Sequence, residues 1–576
     1  MNKLSAMKAT LVPPWWPRYR KDYIRHDVIA GLIVSLMLIP QGLAYATLAG
    51  VPPQYGLYAS LLPVVLYALF GSSAVMSVGP VAITSLLTAS ALAALSLDSV
   101  TDYVAASALL ALASGVFLFA AGLLRLGAVA QLLSHPVVNA FISGAALLII
   151  ISQLKPLLGL QFAGHSTIDN VIGLVRHIGD TNLLTAIVGV ASLAVFILSR
   201  KHTVPVLRAI GLSHGIAVTI QRMMPMLMLL LGALLVYLFD WQNSMAVVGE
   251  LPRGTPTFSV PEIRSDWLAQ LWLPAIVIGL LGFVESISIA QSFAQKARQP
   301  LDANAELRAL GAANVGSALA SGFPVTGGFS RTLVNADAGA HSPLSGVFSA
   351  GFVLLSLWFA TELFAYLPIT ILAATIIAAA LQLVNADTFL YAWRYDRAEA
   401  AAMIGTASGV LLLGVEAGIA IGVVLSIMTV VWRTSRPHIA VVGLVPGTEH
   451  FRNVNRHQVE TSAQVLMVRI DENLVFANAE PVSRELLSLV ERSVHCTDLV
   501  LLMSSVSRID VTAVEMLEHL NEELQRRAIR LHLAEVKGPV SDQLNSCALP
   551  QRLSGKTFLT AYLAFKHLTG SDEPAR

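Results

Sequence analysis

The sequence predicts an α-helical polytopic membrane protein of about fourteen spans in a seven-plus-seven inverted repeat, followed by a small cytosolic α/β domain. Three observations predict it. Hydrophobic residues fill 55% of the 576 positions and charged ones 13%, about half the charge of a soluble protein, and the mean hydropathy is +0.68. Charge is sparse up to residue 432 and ordinary beyond it. Two short apolar segments, each behind a Gly/Pro break, stand at matching places in the two halves.

The composition excludes several classes. A net charge of +1 argues against nucleic acid, which calls for a basic face. Cys496 and Cys547 are the only cysteines, too few for a disulfide framework or a metal cluster. No cofactor is expected. No catalytic order, phosphate loop or carboxylate pair stands out, so no enzyme is expected. Gly311–Gly316 has no strand before it, as a nucleotide loop would. Residues 1–27 hold Lys3, Lys8, Arg18, Arg20, Lys21 and Arg25. They read as a cytoplasmic segment rather than a leader peptide.

Segments able to cross a bilayer, or nearly so, lie at about 28–48, 54–70, 80–96, 103–124, 136–153, 182–199, 223–239, 272–290, 307–321, 329–339, 343–360, 367–383, 398–414 and 416–432. The third and tenth are short. Residues 204–221, with Arg208 and His214, read as a surface helix. The even count puts both termini on one side. Basic residues gather on that side: the N-terminus, Arg200, Lys201, Arg208, Arg222, Lys296, Arg298, Arg308, Arg433 and Arg436. Asp98, Asp102, Asp240, Glu250, Glu262 and Asp266 gather on the other. Both termini are therefore expected in the cytoplasm, with the chain in the cell (inner) membrane.

The halves match in spacing. From Val28 to Pro80 is about 52 residues, and from Trp272 to Phe329 about 57. Ser77-Val78-Gly79-Pro80 precedes one short segment and Gly327-Gly328 the other. Interrupted segments at corresponding places in inverted repeats point to a transport site. Each half-helix N-terminus favours an anion by ~1 kcal/mol, up to about 2 when partly buried.

The second break, Gly322–Thr332, reads G-F-P-V-T-G-G-F-S-R-T. Pro324, Gly327 and Gly328 oppose a continuous helix, and helical pattern resumes near Phe329. Arg331 then falls one turn inside a helix start, where free N–H groups favour an anion. The competing reading is a permanent Glu285–Arg331 salt bridge. Glu285 sits mid-span, where a carboxylate costs about 2.5–3.5 kcal/mol on insertion scales. It is a candidate proton carrier as well as an ion-pair partner. Pro40-Gln41-Gly42 is expected to kink span 1, with Gln41 and Tyr45 four apart on one face. Thr84, Ser85, Thr326, Ser330 and Thr332 are weaker candidates, because hydroxyls in membrane helices bond their own carbonyls. Asp337 and His341 are expected at the turn between spans 10 and 11.

Beyond residue 440, 465–468, 499–503 and 529–533 read as strands, and 480–491, 512–527 and 557–567 as amphipathic helices.

The runs Pro40–Ala46, Gln54–Tyr58, Ser77–Pro80 and Gly327–Thr332 resemble the sulfate permease (SulP) family of inorganic-anion transporters, over nearly the whole chain. The resemblance implies a transmembrane domain over 28–435, with core spans 1–4 and 8–11 and gate spans 5–7 and 12–14. It implies a cytosolic STAS domain over 440–576 and a homodimer. It places the anion between the N-termini of spans 3 and 10. Gln41 and Tyr45 would line the site, Val81 and Ala82 would offer backbone, and Ser330 and Arg331 would hold the anion. Glu285 falls at the acidic span-8 position that bacterial members use for coupling. The STAS likeness lies in Leu499–Met503 and Arg508–Ala513. Val511 stands where related proteins carry a phosphorylated serine, and Thr512 reads as a helix N-cap.

The sequence therefore predicts a secondary transporter of an inorganic anion, most simply sulfate, in symport with protons in a lipid bilayer. Bicarbonate or a dicarboxylate, sodium coupling or exchange would suit the same site. The rivals are an anion channel, a nucleobase permease and a scaffold whose STAS domain binds a cytosolic partner.

Overall fold

The computed structural model describes residues 15–95, 97–127, 135–162, 167–298 and 301–570. The chain divides into two compact units, Met1–Ser426 and Ile427–Arg576.

The first unit is helical: α1 (Tyr23–Leu48), α2 (Gln54–Tyr58), α3 (Leu62–Phe70), α4 (Ala82–Ala93), α5 (Val100–Leu123), α6 (His135–Leu158), α7 (Thr167–His177), α8 (Leu183–Ala209), α9 (His214–Phe239), α10 (Ser265–Ala297), α11 (Ala303–Leu319), α12 (Phe329–Asp337), α13 (Leu344–Phe359), α14 (Thr361–Ala365), α15 (Ile369–Ala380), α16 (Ala386–Tyr395) and α17 (Arg397–Leu413). Helix α18 (Val415–Ser435) runs across the boundary between the units. Helix occupies every segment expected to span. Seven helices among the described residues are long and apolar enough to cross a membrane.

Two local expectations fail. Residues 204–221 are not a separate surface helix; they are the end of α8, a turn and the start of α9. Arg208 and His214 sit at those helix ends and are exposed, where a polar group can reach water without breaking the apolar stretch. Segment 54–70 is two helices rather than one, broken at Ala59–Leu61. The short helices α7 and α16, both largely exposed, carry too little apolar sequence to register as spans.

Helix α1 continues through Pro40. Gly42 there serves close approach: a Cβ on Gly56 would lie 1.8 Å from the Gly42 carbonyl oxygen, so α1 and α2 touch backbone to backbone. Gly115 and Gly311 do the same for α5 and α11, where a Cβ on Gly311 would meet the Gly115 oxygen at 2.8 Å. Small residues let membrane helices approach without a hydrophobic driving force.

The second unit carries a six-stranded sheet in the order β4-β3-β5-β6-β7-β8, with β3 (Ile439–Leu444), β4 (Phe451–Asn453), β5 (Val465–Ile470), β6 (Asp498–Leu502), β7 (Arg530–Ala534) and β8 (Thr557–Phe558). Strands β5 to β8 are parallel; β3 pairs antiparallel with β4 and β5. β6 is buried along its length, as a central strand covered on both faces must be. Helices α19 (Ala479–Arg492) and α20 (Val511–Arg526) pack on one face through Leu486, Leu517 and Leu520. After α21 (Gly538–Asn545) and α22 (Leu549–Arg552), α23 (Ala561–Thr569) covers the other face through Phe565. The N-cap of α20 is Asp510, not Thr512: Asp510 accepts from the Ala513 N–H at 3.0 Å, and Thr512 is exposed inside the first turn. A carboxylate placed two residues earlier reaches the free N–H first.

Candidate anion site

The two Gly/Pro breaks meet. β1 (Val78–Gly79) and β2 (Thr326–Gly327) form a two-residue antiparallel ribbon, with Val78 opposite Gly327 and Gly79 opposite Thr326. The Gly328 N–H adds a bond to the Ser77 oxygen at 3.0 Å. Helix α4 leaves one strand and α12 the other, so two helix N-termini converge on one spot. Val81 and Gly328 are the N-caps, and neither has a side-chain cap. Their first-turn N–H groups stay open to a ligand.

The ribbon is pinned from behind by polar side chains, of which Asn314 and Ser286 were not foreseen from sequence. Asn314 of α11 donates to the Val325 oxygen and accepts from the Val325 N–H, both at 2.9 Å. Thr326 donates to the Gly282 oxygen at 2.7 Å, and Ser286 of α10 accepts from the Gly327 N–H at 2.9 Å. Thr332 accepts from the Ser77 N–H at 3.1 Å. Thr84 and Ser85 bond the Val81 oxygen at 3.0 and 2.9 Å. These hydroxyls hold the break rather than face a ligand. The only signal for Asn314 and Ser286 in the sequence is a polar side chain inside an apolar segment.

Arg331 is 2% exposed. Its Nη1 donates to Gln41 Oε1 at 3.0 Å and to the Pro80 oxygen at 2.8 Å. Its Nε and Nη2 have no hydrogen-bond partner among the described residues. An unmet buried donor costs about 1–3 kcal/mol, and more on a charged group. The guanidinium fits only because its neighbours lack side chains. A Cβ on Gly328 would lie 2.8 Å from Nη2, and one on Gly79 3.4 Å.

The structure brings Gln41, Val81, Ala82 and Arg331 to this spot. Tyr45 is buried, and Tyr45, Glu285 and Arg331 lie close enough to feel one another's charge. The Glu285–Arg331 salt bridge considered from sequence does not form: no ion pair within 4.0 Å joins them. Ser330 is exposed and lines a cavity of about 250 Å³ together with Gln41, Arg200 and Arg222. Glu285 lines a different cavity of about 410 Å³. Asp337 ends α12, where it accepts from Arg222 at 2.5 Å, and the His341 N–H bonds Asp27 at 2.7 Å in the following turn. Two buried acids were not foreseen. Asp27 takes three bonds from His341 and Ser342. Glu306 takes bonds from Tyr67, Ser72 and Ser73. Both are saturated by local donors and brace turns.

A polytopic helical unit with two broken helices converging on a buried, under-bonded arginine defines a membrane transport protein for anions. The sequence comparisons agree. The sulfate permease family model matches residues 24–406 and the STAS domain model residues 456–564. Sulfate transporter 4.1, chloroplastic, of Arabidopsis thaliana is 36% identical over 90% of this chain and 76% of its own length. Probable sulfate transporter Rv1739c of Mycobacterium tuberculosis (strain ATCC 25618 / H37Rv) is 34% identical over 95% of this chain and 96% of its own. Among solved structures, the murine Solute Carrier 26 family member A9 anion transporter in the inward-facing state superposes with TM-score 0.88 at 23% identity, covering 99% of this chain and 96% of that one. The transmembrane domain of a cyanobacterium bicarbonate transporter, BicA, gives 0.60 at 20% identity, covering 71% and 98%. The chain belongs to the sulfate permease family and carries a C-terminal STAS domain.

Proposed function

We propose that the chain moves sulfate across the cell (inner) membrane by alternating access, in symport with protons. Arg331 carries the reading: a fixed positive charge with open donors stands where two helix N-termini converge. A tetrahedral dianion offers acceptors to Nε and Nη2 and to the backbone N–H groups at Val81 and Ala82, while Gln41, Tyr45 and Ser330 line its surroundings. Charge-assisted bonds of this kind are short and strong. The named substrates of relatives such as Sulfate transporter 4.1 favour sulfate.

The movement would be that of a core against a gate. Supporting this, α5 packs on α10 and α11 and α13 on α1, while α6 packs on α15 and α17 and α8 on α9 and α15. Helix α1 touches both groups through α9 and α15. In this reading the chain crosses the bilayer about fourteen times in two inverted halves, residues 28–435 form the transport domain, and both termini lie in the cytoplasm with the STAS domain, 440–576. It assembles as a homodimer. Glu285 carries the proton: it is close enough to Arg331 to feel its charge and is not locked to it.

The experiment is uptake into proteoliposomes of labelled sulfate, bicarbonate and a dicarboxylate, with proton or sodium gradients imposed singly. Sulfate accumulation driven by an inward proton gradient is expected. Uptake that follows sodium, or runs only downhill without saturating, refutes the reading.

A further inference from the structure

The two cavities around the site carry opposite charge and are lined by different residues. The first, about 250 Å³, reaches Gln41 and Ser330 and contains two cationic side chains, Arg200 and Arg222, and no acid. The second, about 410 Å³, contains Glu285 as its sole ionisable side chain among the described residues, with Asn139, Ser288, Gln291 and Asn385 as polar lining. One residue belongs to both: Gln382. Consecutive residues at the start of α12 part between them, Phe329 to the acidic cavity and Ser330 to the basic one. Gln382 donates to the Ala378 oxygen at 3.3 Å, and turning its amide over places the amide oxygen 3.2 Å from Arg200 Nη1 on the basic side.

We propose that the anion and the proton reach the site by separate routes: the anion through the basic cavity, the proton through the cavity behind Glu285, with Gln382 and the start of α12 as the wall between them. This rests on the proton-coupled reading given above.

The electrostatics sort the ions. A low-dielectric cleft of one sign concentrates counter-ions and repels co-ions. A hydrated proton entering past Arg200 and Arg222 meets two fixed cations, of which Arg222 is paired with Asp337 and Arg200 is paired with no acid among the described residues. A sulfate entering the second cavity meets a carboxylate. The acidic cavity is lined from near the start of α6, the second half of α10 and the stretch after α15. The basic one is lined from the second half of α8, the first half of α9 and α15. By the charge pattern of the loops, both lie toward the expected cytoplasmic face. The charged and titratable groups that face Glu285 from neighbouring helices are Arg331 and Tyr45.

The test uses the full chain with Cys496 and Cys547 replaced by serine. Single cysteines are placed at Ser288 and Leu333, one in each cavity. Labelling rates are compared for a cationic and an anionic thiol reagent of equal size. The cationic reagent should lead at Ser288→Cys and the anionic one at Leu333→Cys, each by about tenfold. Glu285→Gln should erase the first preference alone, and Arg200→Ala with Arg222→Ala the second alone. Ser288→Leu should slow proton-driven sulfate uptake while leaving equilibrium sulfate affinity at fixed pH unchanged. Equal preferences at the two cysteines, or undiminished uptake in Ser288→Leu, overturn the two-route proposal. If Glu285→Gln uptake stays pH-dependent while the labelling preferences stand, the proton-coupled reading fails instead.

Discussion

Arg331 donates to the Pro80 oxygen across 2.8 Å, so a charge from the second half of the chain is fastened to the break in the first. With Gln41 as its other partner, the guanidinium joins three segments that lie far apart in sequence. Nothing else in the unit ties both broken helices and α1 to one side chain among the described residues.

Arg331→Ala should remove anion binding and leave the fold in place. Two unmet charged donors satisfied by an oxyanion amount to about 2–4 kcal/mol, or roughly 30- to 1,000-fold in affinity. Isothermal titration with sulfate and a thermal melt on one preparation check this together. Retained affinity excludes Arg331 as the ligand.

Gly328→Ala separates the geometry of the site from its charge. Gly328 sits at φ −101°, which alanine adopts without strain, so any effect comes from the methyl group 2.8 Å from Nη2. Sulfate affinity should fall about tenfold, near 1.4 kcal/mol, with Arg331 still present. A variant that binds like the parent shows the guanidinium free to move elsewhere.

Glu285→Gln should flatten the pH dependence of uptake while leaving sulfate binding measurable, since glutamine cannot exchange a proton. A pH profile that keeps its shape excludes Glu285 as the carrier.

The STAS sheet should loosen on acidification. Burial pushes His532 below its ordinary value near 6.5, and its ring bonds Asp498 at 2.9 Å and accepts from the Lys556 N–H at 2.9 Å. Burial alone would raise Asp498, yet bonds from Arg530, His532 and Thr497 hold it below the usual carboxylate range. Both groups bind fewer protons folded than unfolded, so the folded state loses stability as pH falls, His532 first and Asp498 in stronger acid. Amide exchange at β7 and β8 in the full chain should speed up as the pH falls below about 6.5, the ordinary histidine value. His532→Gln should remove that step; an unchanged profile assigns it to another group.

A chain ended after Ser435, the last residue of α18, should retain sulfate affinity, because every residue placed at the site lies before it. Loss of binding in a folded truncate ties the STAS domain to the site itself.

Much of this was legible before the fold was known. Sparse charge and apolar runs locate the helices because a bilayer admits little else. The two breaks were legible because Pro and Gly cluster there, whereas a lone Pro such as Pro40 is carried inside a helix. Arg331 was legible because charge is costly in that setting. What escaped was relational. Ser286 and Asn314 look like ordinary polar residues until the ribbon beside them is seen to need partners. Asp27 and Glu306 have the same cost as Glu285 but are saturated by donors that only the fold brings near, 315 and 239 residues away at the furthest. The boundary near 204–221 was misread because a charged residue at the end of a long helix looks the same in sequence as one on a surface helix.

The most direct measurement is the position of a bound oxyanion. A structure determined with selenate, its selenium located by anomalous scattering, should place the atom between the starts of α4 and α12, within hydrogen-bond reach of Arg331 Nε or Nη2. Ordered selenium elsewhere in the unit, with those two nitrogens still unpartnered, would contradict the account.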